Sequence, residues 1–195
     1  MMNSNEIIRK NLITSIEAKQ YFLLQEDQLS MFNQAVQVLI ECYRNGGRLY
    51  IAGNGGSAAD AQHLAAEFVS KLSRDRAPMA AEALTVDSSI LTAIANDYGY
   101  EQVFARQIDG KMTKKDIFLG ITTSGQSQNI LYALDICRKM SVKTIIFAGR
   151  DGGAAKGKAD YCIVAPGEMT STIQEIHMVL SHSLCECVER AIFEI

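Results

Sequence analysis

RLYIAGNGGS, residues Arg48–Ser57, is the stretch that decides the fold. It joins a short apolar run, Arg48–Ala52, to a glycine-rich turn, and a helical pattern of apolar residues follows over 58–72. Asp116–Ile121 begins a second unit of the same design, in which Thr122–Ser127 (TTSGQS) forms the turn before the next helix. Because short buried runs that alternate with helices are typical of a parallel sheet, the chain is expected to fold as α/β.

The remaining segments extend this sheet and cover it. Further strands are expected at Val142–Ala148 and Tyr161–Ala165, with a weaker one at Met79–Leu84. Helical periodicity is present over Asn5–Gln20, Glu26–Tyr43 and Thr170–Phe193. We therefore expect one domain, 1–195, made of N-terminal helices in 1–46, an α/β core in 47–169 and a C-terminal helix in 170–195.

The composition excludes several classes of protein. The chain is 48% hydrophobic and 21% charged, which is ordinary for a globular domain and unlike a disordered chain. The net charge of −3 argues against a nucleic-acid partner, which usually needs a basic face. No apolar run approaches the roughly 20 residues of a membrane span, and the polar N-terminal stretch lacks a secretory core, so we expect a cytoplasmic protein. The five cysteines are odd in number and scattered, which favours reduced thiols.

Both glycine- and hydroxyl-rich loops are expected to bind a phosphate. Open parallel sheets bind ligands beyond the carboxyl ends of their strands, where both loops fall. In 53–57 the glycines let backbone amides at a helix start approach an anion. In the second loop, four hydroxyls can surround a phosphate: Thr122, Thr123, Ser124 and Ser127. The loops lack the lysine of a nucleotide P-loop and the spacing of a dinucleotide fold, so no nucleotide cofactor is expected.

Two helices carry side chains suited to acid–base chemistry. His63 and Glu67 are four residues apart and therefore share a helix face. Gln174 and His182 are eight residues apart, about 80° around the last helix, so both can face one site. Each histidine could equally be a satisfied core residue, and the His63–Glu67 pair could be a surface ion pair. The other polar residues of the last helix are expected to pack or to lie in an interface: Glu175 and His177.

Two further polar groups each have two interpretations. Asn96–Asp97 could cap the following helix or bind substrate hydroxyls. The one basic cluster near the glycine loops could be a solvated helix end or a phosphate contact, and it consists of Lys71, Arg74 and Arg76.

Four segments together resemble the phosphoheptose isomerase family of the sugar isomerase (SIS) domain superfamily. They are AGNGGSAADAQH at Ala52–His63 followed by Glu67, ANDYG at Ala95–Gly99, GITTSGQS at Gly120–Ser127 and IQEIH at Ile173–His177. The resemblance implies a three-layer, flavodoxin-like α/β sandwich with a central, mostly parallel five-stranded sheet. It also implies a homotetramer with the N- and C-terminal helices in its interface and active sites between subunits. The implied reaction converts sedoheptulose 7-phosphate to D-glycero-D-manno-heptose 7-phosphate for ADP- or GDP-heptose biosynthesis.

The resemblance also assigns roles to individual residues. The phosphate would be bound by Ser57 and the second loop, and the sugar would be surrounded by Asn54, Gly55, Gly56, Glu67, Asn96, Asp97 and Gln174. Glu67 would be the catalytic base and His182 its partner acid. Some family members bind one zinc ion per subunit through the positions of His63, Glu67, Gln174 and His182. Lys71 and Thr172 stand where many members carry Arg, which leaves the identity of the sugar open.

Three other interpretations stay open. Each loop could be only a strand-to-helix turn, although two such loops after two strands of one sheet weaken that view. A non-enzymatic SIS protein, such as the DnaA initiator-associating protein, has the same fold and tetramer but looks to have lost the groups at the positions of Glu67 and His182. The third is another sugar-phosphate isomerase or a sugar-phosphate-sensing domain, although a sensing regulator would be expected to carry a DNA-binding module.

Overall fold

The computed structural model describes residues 3–194, and Met1, Met2 and Ile195, which bound the predicted domain, lie outside the described residues. The helices are α1 (Ser4–Leu23), α2 (Glu26–Arg44), α3 (Gly56–Val69), α4 (Ser88–Tyr98), α5 (Ala105–Lys111), α6 (Gln128–Met140), α7 (Gly153–Lys156) and α8 (Thr170–Phe193). The strands are β1 (Leu49–Gly53), β2 (Ala81–Ala83), β3 (Ile117–Thr122), β4 (Lys143–Gly149) and β5 (Tyr161–Ala165). A 3-10 turn, Tyr100–Gln102, separates α4 from α5.

The described strands form one sheet in the order β2-β1-β3-β4-β5. Every pairing in it is parallel, so the predicted flavodoxin-like sheet is confirmed, and it is wholly rather than mostly parallel. β2 lies on one side of β1 and β3 on the other, so the order in which strands are added reverses between β1 and β3, the position at which doubly wound folds bind ligands. β1 and β3 run in register from Leu49 opposite Ile117 to Gly53 opposite Ile121, so their carboxyl ends meet.

Alternating side chains along the strands create two separate cores. Leu49 and Ile51 of β1 belong to one core, in which α2, α3 and α8 bury their apolar faces. Tyr50 and Ala52 belong to the other core, which α5, α6 and α7 cover, with α4 packed at its margin. Because successive strand residues point to opposite faces, this division produces the predicted three layers.

Local signals explain where several helices begin and end. Asn3 and Glu6 form a capping box at the start of α1, with each side chain bonded to the other residue's backbone N–H. Gly46 has a φ of +72°, the left-handed stop that the turn after α2 predicts. The sequence does not predict α4, none of whose residues is fully buried, nor α5 and α7, whose seven and four residues are too few to show a clear helical period.

Within residues 3–194, none of the helices combines the length and the hydropathy that crossing a bilayer requires.

All five cysteines carry free thiols, as expected, and Cys187 is the exposed one. Burial raises the pKa of the Cys137 thiol to about 12, which keeps it protonated and unreactive.

Candidate active site

The two predicted binding loops lie side by side at the carboxyl ends of β1 and β3, where the strand order reverses. Gly53, the last residue of β1, is paired with Ile121 of β3, so the turns that follow them start next to each other. α3 begins at Gly56 and α6 at Gln128, so both helices present their amide ends at this edge of the sheet. This edge of the sheet is therefore suited to an anion.

The first loop brings α8 against the start of α3. A Cβ at Gly56 would overlap Nε2 of Gln174, so the glutamine amide lies directly on this loop. Gly55 has a left-handed φ of +56° with open space beside it, a conformation that favours glycine. Ser57 is buried in the first turn of α3. The structure therefore brings together four residues that the sequence predicts to bind substrate.

The second loop is closed by its own hydroxyls. Oγ1 of Thr122 and Oγ of Ser127 lie 3.2 Å apart, which joins the two ends of the loop. Oγ of Ser124 accepts a hydrogen bond from the backbone N–H of Gln126 at 3.2 Å. Thr123 and Ser124 are only half-buried, so their hydroxyls remain accessible to a ligand.

Gly125 lets this loop rest on the turn after β4. Its φ is +63°, and its carbonyl oxygen accepts a hydrogen bond of 3.0 Å from the N–H of Ala155. A Cβ at this position would overlap the carbonyl oxygen of Gly152. The two turns therefore support each other through backbone contact.

Gly125→Ala is expected to destabilise this loop by roughly 1–3 kcal/mol, because the new methyl group meets backbone and the left-handed φ becomes strained. The affinity for inorganic phosphate, measured by calorimetry, should fall with it. Gly157→Ala is the matched control, since its Cβ would meet only the carbonyl oxygen of Ala154 at 3.9 Å. Equal phosphate affinity in the two variants would contradict the role of this loop.

His63, Glu67 and His182 form a compact cluster between α3 and α8. Nε2 of His63 lies 3.0 Å from Nε2 of His182 and 3.3 Å from Oε1 of Glu67. One ligand atom from each of the three residues lies within 4.8 Å of the others. The Glu67 side chain is 19% exposed and that of His63 46%, so the cluster opens to solvent on the His63 side. Two ring nitrogens this close need a proton or a cation between them, because facing lone pairs repel.

Asn96 and Asp97 lie in the last turn of α4, and both are exposed. Nδ2 of Asn96 donates to Oδ1 of Asp97 at 2.8 Å. The interpretation that they cap the following helix is wrong, because they lie inside α4 and the next helical turn begins only after Gly99. Among the described residues, no hydrogen bond joins either side chain to the two loops, so their contact with the sugar stays a prediction.

The other polar residues of α8 have structural contacts. Nε2 of buried His177 donates to the carbonyl oxygen of Ala148 at 2.8 Å, at the end of β4. Burial lowers the pKa of His177 to about 4, so the ring is neutral near pH 7. Glu175 pairs with Lys19 of α1 at 2.8 Å and also accepts a hydrogen bond from Ser15. The expectation that both residues pack away from the site is confirmed.

Arg76 fits neither interpretation of the basic cluster. Its side chain is 2% exposed and pairs with Glu189, 3% exposed, at 2.6 Å. Its guanidinium also donates to the carbonyl oxygens of Phe68 and Glu67 at the end of α3. Arg76 therefore holds the helix that carries the catalytic candidates. Lys71 is exposed and lies 3.9 Å from Asp75.

Two residues beside the loops have no distinctive sequence signal. Asn129, 3% exposed in the first turn of α6, exchanges two hydrogen bonds with Asn54 of the first loop, at 2.8 and 2.9 Å. The hydroxyl of Tyr100 donates to Oδ1 of Asn54 at 3.0 Å. An amide after TTSGQS and a tyrosine after a glycine are too common to indicate a site, so only the structure reveals this contact.

Comparison with known proteins identifies the family that has these features. A family model described as SIS domain matches residues 16–149. The chain is 46% identical to phosphoheptose isomerase 2 of Campylobacter jejuni over 193 residues, which cover 99% of this chain and 96% of the relative. It is also 46% identical to the phosphoheptose isomerase of Aneurinibacillus thermoaerophilus over 189 residues, or 97% and 96% of the two chains.

Solved structures agree with this result. The phosphoheptose isomerase of Francisella tularensis superposes with a TM-score of 0.92 at 33% identity, over 97% of this chain and 100% of that one. The enzyme from Neisseria gonorrhoeae gives a TM-score of 0.89 at 36% identity, over 96% and 99% of the two chains. The chain therefore belongs to the phosphoheptose isomerase family of SIS-domain proteins.

Proposed function

We propose that this site converts sedoheptulose 7-phosphate to D-glycero-D-manno-heptose 7-phosphate. The observation that carries the proposal is the contact of Glu67, His63 and His182 at a helix that begins in the first of two loops suited to a phosphate. Aldose–ketose isomerisation needs a base that moves a proton between two carbons and an acid that serves their oxygens. A carboxylate and an imidazole in contact provide both groups.

Glu67 and His182 can supply and receive every proton that moves in the reaction. The Glu67 carboxylate takes a proton from C1 of the ketose, which gives an enediolate, and the resulting carboxylic acid returns the proton to C2. His182 supplies a proton to the oxygen on C2 and receives the one leaving the oxygen on C1. Ser57 and the hydroxyls of the second loop hold the phosphate, so that C1 and C2 stay within reach of the base.

Zinc is the metal that these residues would hold. Two nitrogens or oxygens bound at 2.0–2.1 Å in a tetrahedron stand about 3.3 Å apart. The separations of His63 from His182 and Glu67, 3.0 and 3.3 Å, come close to this value. By the family resemblance Gln174 would be the fourth ligand, and its amide contacts Gly56, at the start of the helix that carries His63 and Glu67. A bound zinc ion would supply a Lewis acid for the substrate carbonyl, and Glu67 or His182, if it binds the ion, would have to be released or share its atoms in order to move a proton.

Protein purified without chelator is expected to contain about one zinc ion per chain, because three close N and O donors form a nearly complete tetrahedral site. His63→Ala should lower that content more than tenfold in elemental analysis. Ser183→Ala on α8 is a control outside the cluster. Zinc absent from the native protein, with no change in rate when zinc is added, would contradict this proposal.

We further propose a cytoplasmic homotetramer with its active sites between subunits. The support is an apolar face of α1 that the chain itself leaves open: Ile8, Leu12, Ile13 and Ile16 are 53 to 55% exposed. Contiguous apolar surface of this kind marks a protein–protein contact. The ion pair between Glu175 and Lys19 connects α1 to α8, the helix that carries His182. A subunit bound at α1 would therefore lie beside the catalytic helix.

Leu12→Glu is expected to split the assembly into smaller species, because a carboxylate on this face is costly to bury. Light scattering after size-exclusion chromatography measures the change, and isomerase activity should fall with it. Lys10→Glu adds the same residue at a polar position of α1 and should leave the mass unchanged. A monomeric native protein would overturn the tetramer proposal.

The deciding experiment incubates the protein with sedoheptulose 7-phosphate and a panel of other ketose phosphates, followed by product analysis. Formation of the aldose heptose phosphate is the expected result. The non-enzymatic alternative predicts DnaA binding without turnover, and a sensing domain predicts binding of a sugar phosphate without turnover. Turnover of a different ketose phosphate would keep the reaction and replace the substrate.

A further inference from the structure

The side-chain amide of Asn54 is the meeting point of three segments. It lies in the first loop, and it contacts Asn129 at the start of α6 and Tyr100 after α4. Asn129 is 3% exposed, whereas Tyr100 is 58% exposed. The contact therefore joins a buried amide, a loop residue and a surface hydroxyl.

Almost every hydrogen-bonding position of the Asn54 amide is taken. Oδ1 accepts from Nδ2 of Asn129 at 2.8 Å and from the hydroxyl of Tyr100 at 3.0 Å, which uses both of its lone pairs. Nδ2 donates one of its two hydrogens to Oδ1 of Asn129 at 2.9 Å. One N–H remains without a partner among the described residues. The amide has no acceptor left and a single donor to offer.

We propose that Asn129 and Tyr100 are positioning residues that fix the Asn54 amide so that its one free N–H donates to an oxygen of the sugar, rather than of the phosphate, in the bound substrate. The inference rests on the proposed function and identifies what Asn54 contributes to it. Rotation of the amide by half a turn would place Nδ2 against Nδ2 of Asn129 and oxygen against oxygen. The reciprocal pair therefore opposes rotation of the Asn54 amide alone, because the two amides could turn only together.

Tyr100→Phe tests the proposal with the smallest change, because it removes one hydroxyl from the surface and no buried group. It should lower kcat/KM for the ketose phosphate by about 3- to 10-fold, the effect of one hydrogen bond. In an Asn54→Ala background the same substitution should have no effect, since Tyr100 acts through that amide. The inhibition constant of inorganic phosphate should stay unchanged, because the phosphate is bound by other groups. Tyr132→Phe, on the exposed side of α6, is the matched control.

Asn129→Ala should lower kcat/KM by about 10- to 100-fold, and thermal unfolding shows whether the variant folds. If Asn129→Ala does not fold, the Tyr100 variants alone test the proposal. An equal effect of Tyr100→Phe with and without Asn54, or none in either background, overturns this inference while the proposed function stands. Absence of turnover in the unsubstituted protein overturns both.

Discussion

Glu67→Gln is expected to lower kcat by about 10²- to 10⁴-fold, the usual contribution of a general base, with little change in KM. The amide keeps the size of the side chain and its position on α3 but cannot take a proton from carbon. Steady-state rates with sedoheptulose 7-phosphate measure the effect. Because the phosphate loops are untouched, substrate should still bind.

The control for this variant is Glu186→Gln, which removes an exposed carboxylate of α8 that, within residues 3–194, pairs only with Arg190 at the surface. Its rate should equal that of the native protein. His182→Ala should also abolish turnover while the assembly stays intact. A rate near that of the native protein in either Glu67→Gln or His182→Ala would overturn the catalytic assignment.

Arg76→Met is expected to lower the free energy of unfolding by about 3–5 kcal/mol, because it leaves the carboxylate of Glu189 buried without its partner. It also removes the donors that satisfy the carbonyl oxygens of Glu67 and Phe68, at the end of α3. Urea titration at a fixed protein concentration measures the loss.

Arg190→Met provides the comparison for this variant. Its ion pair with Glu186 has the same chemistry, but the two side chains are 61% and 50% exposed, so the loss should stay below about 1 kcal/mol. The double variant Arg76→Met with Glu189→Leu should recover part of the stability, since neither charge is then buried alone. Equal losses in Arg76→Met and Arg190→Met would refute a structural role for the buried pair.

Most of the sheet is predictable because its strands are buried on both faces. β5 has the predicted limits, and β1, β3 and β4 differ from the prediction by one residue at each end. β2 is shorter than its apolar run, since it lies at the edge of the sheet and pairs on one side only. The exposure of α1 is invisible in its sequence, because an apolar face can pack within its own chain or on another.

The site is predictable in part. Helical spacing places His63 beside Glu67, and the loop chemistry indicates a phosphate, but the contact of His63 with His182 depends on how α8 packs against α3. Periodicity within one helix carries no information about that packing. Arg76 is a residue whose position the sequence predicts wrongly. Its charge suggests a surface position, whereas its burial depends on the ion pair with Glu189.

The distance along the chain between the two histidines affects when the enzyme becomes active during synthesis. His63 and His182 are 119 residues apart. A ribosome adding roughly 5–20 residues per second needs about 6 to 24 s to cover that interval. The sheet and both loops have left the ribosome before α8, which completes one of the two cores and brings Gln174 to the first loop, so the proposed site stays incomplete until the chain is released. Catalytic competence therefore reports that the last helix has docked.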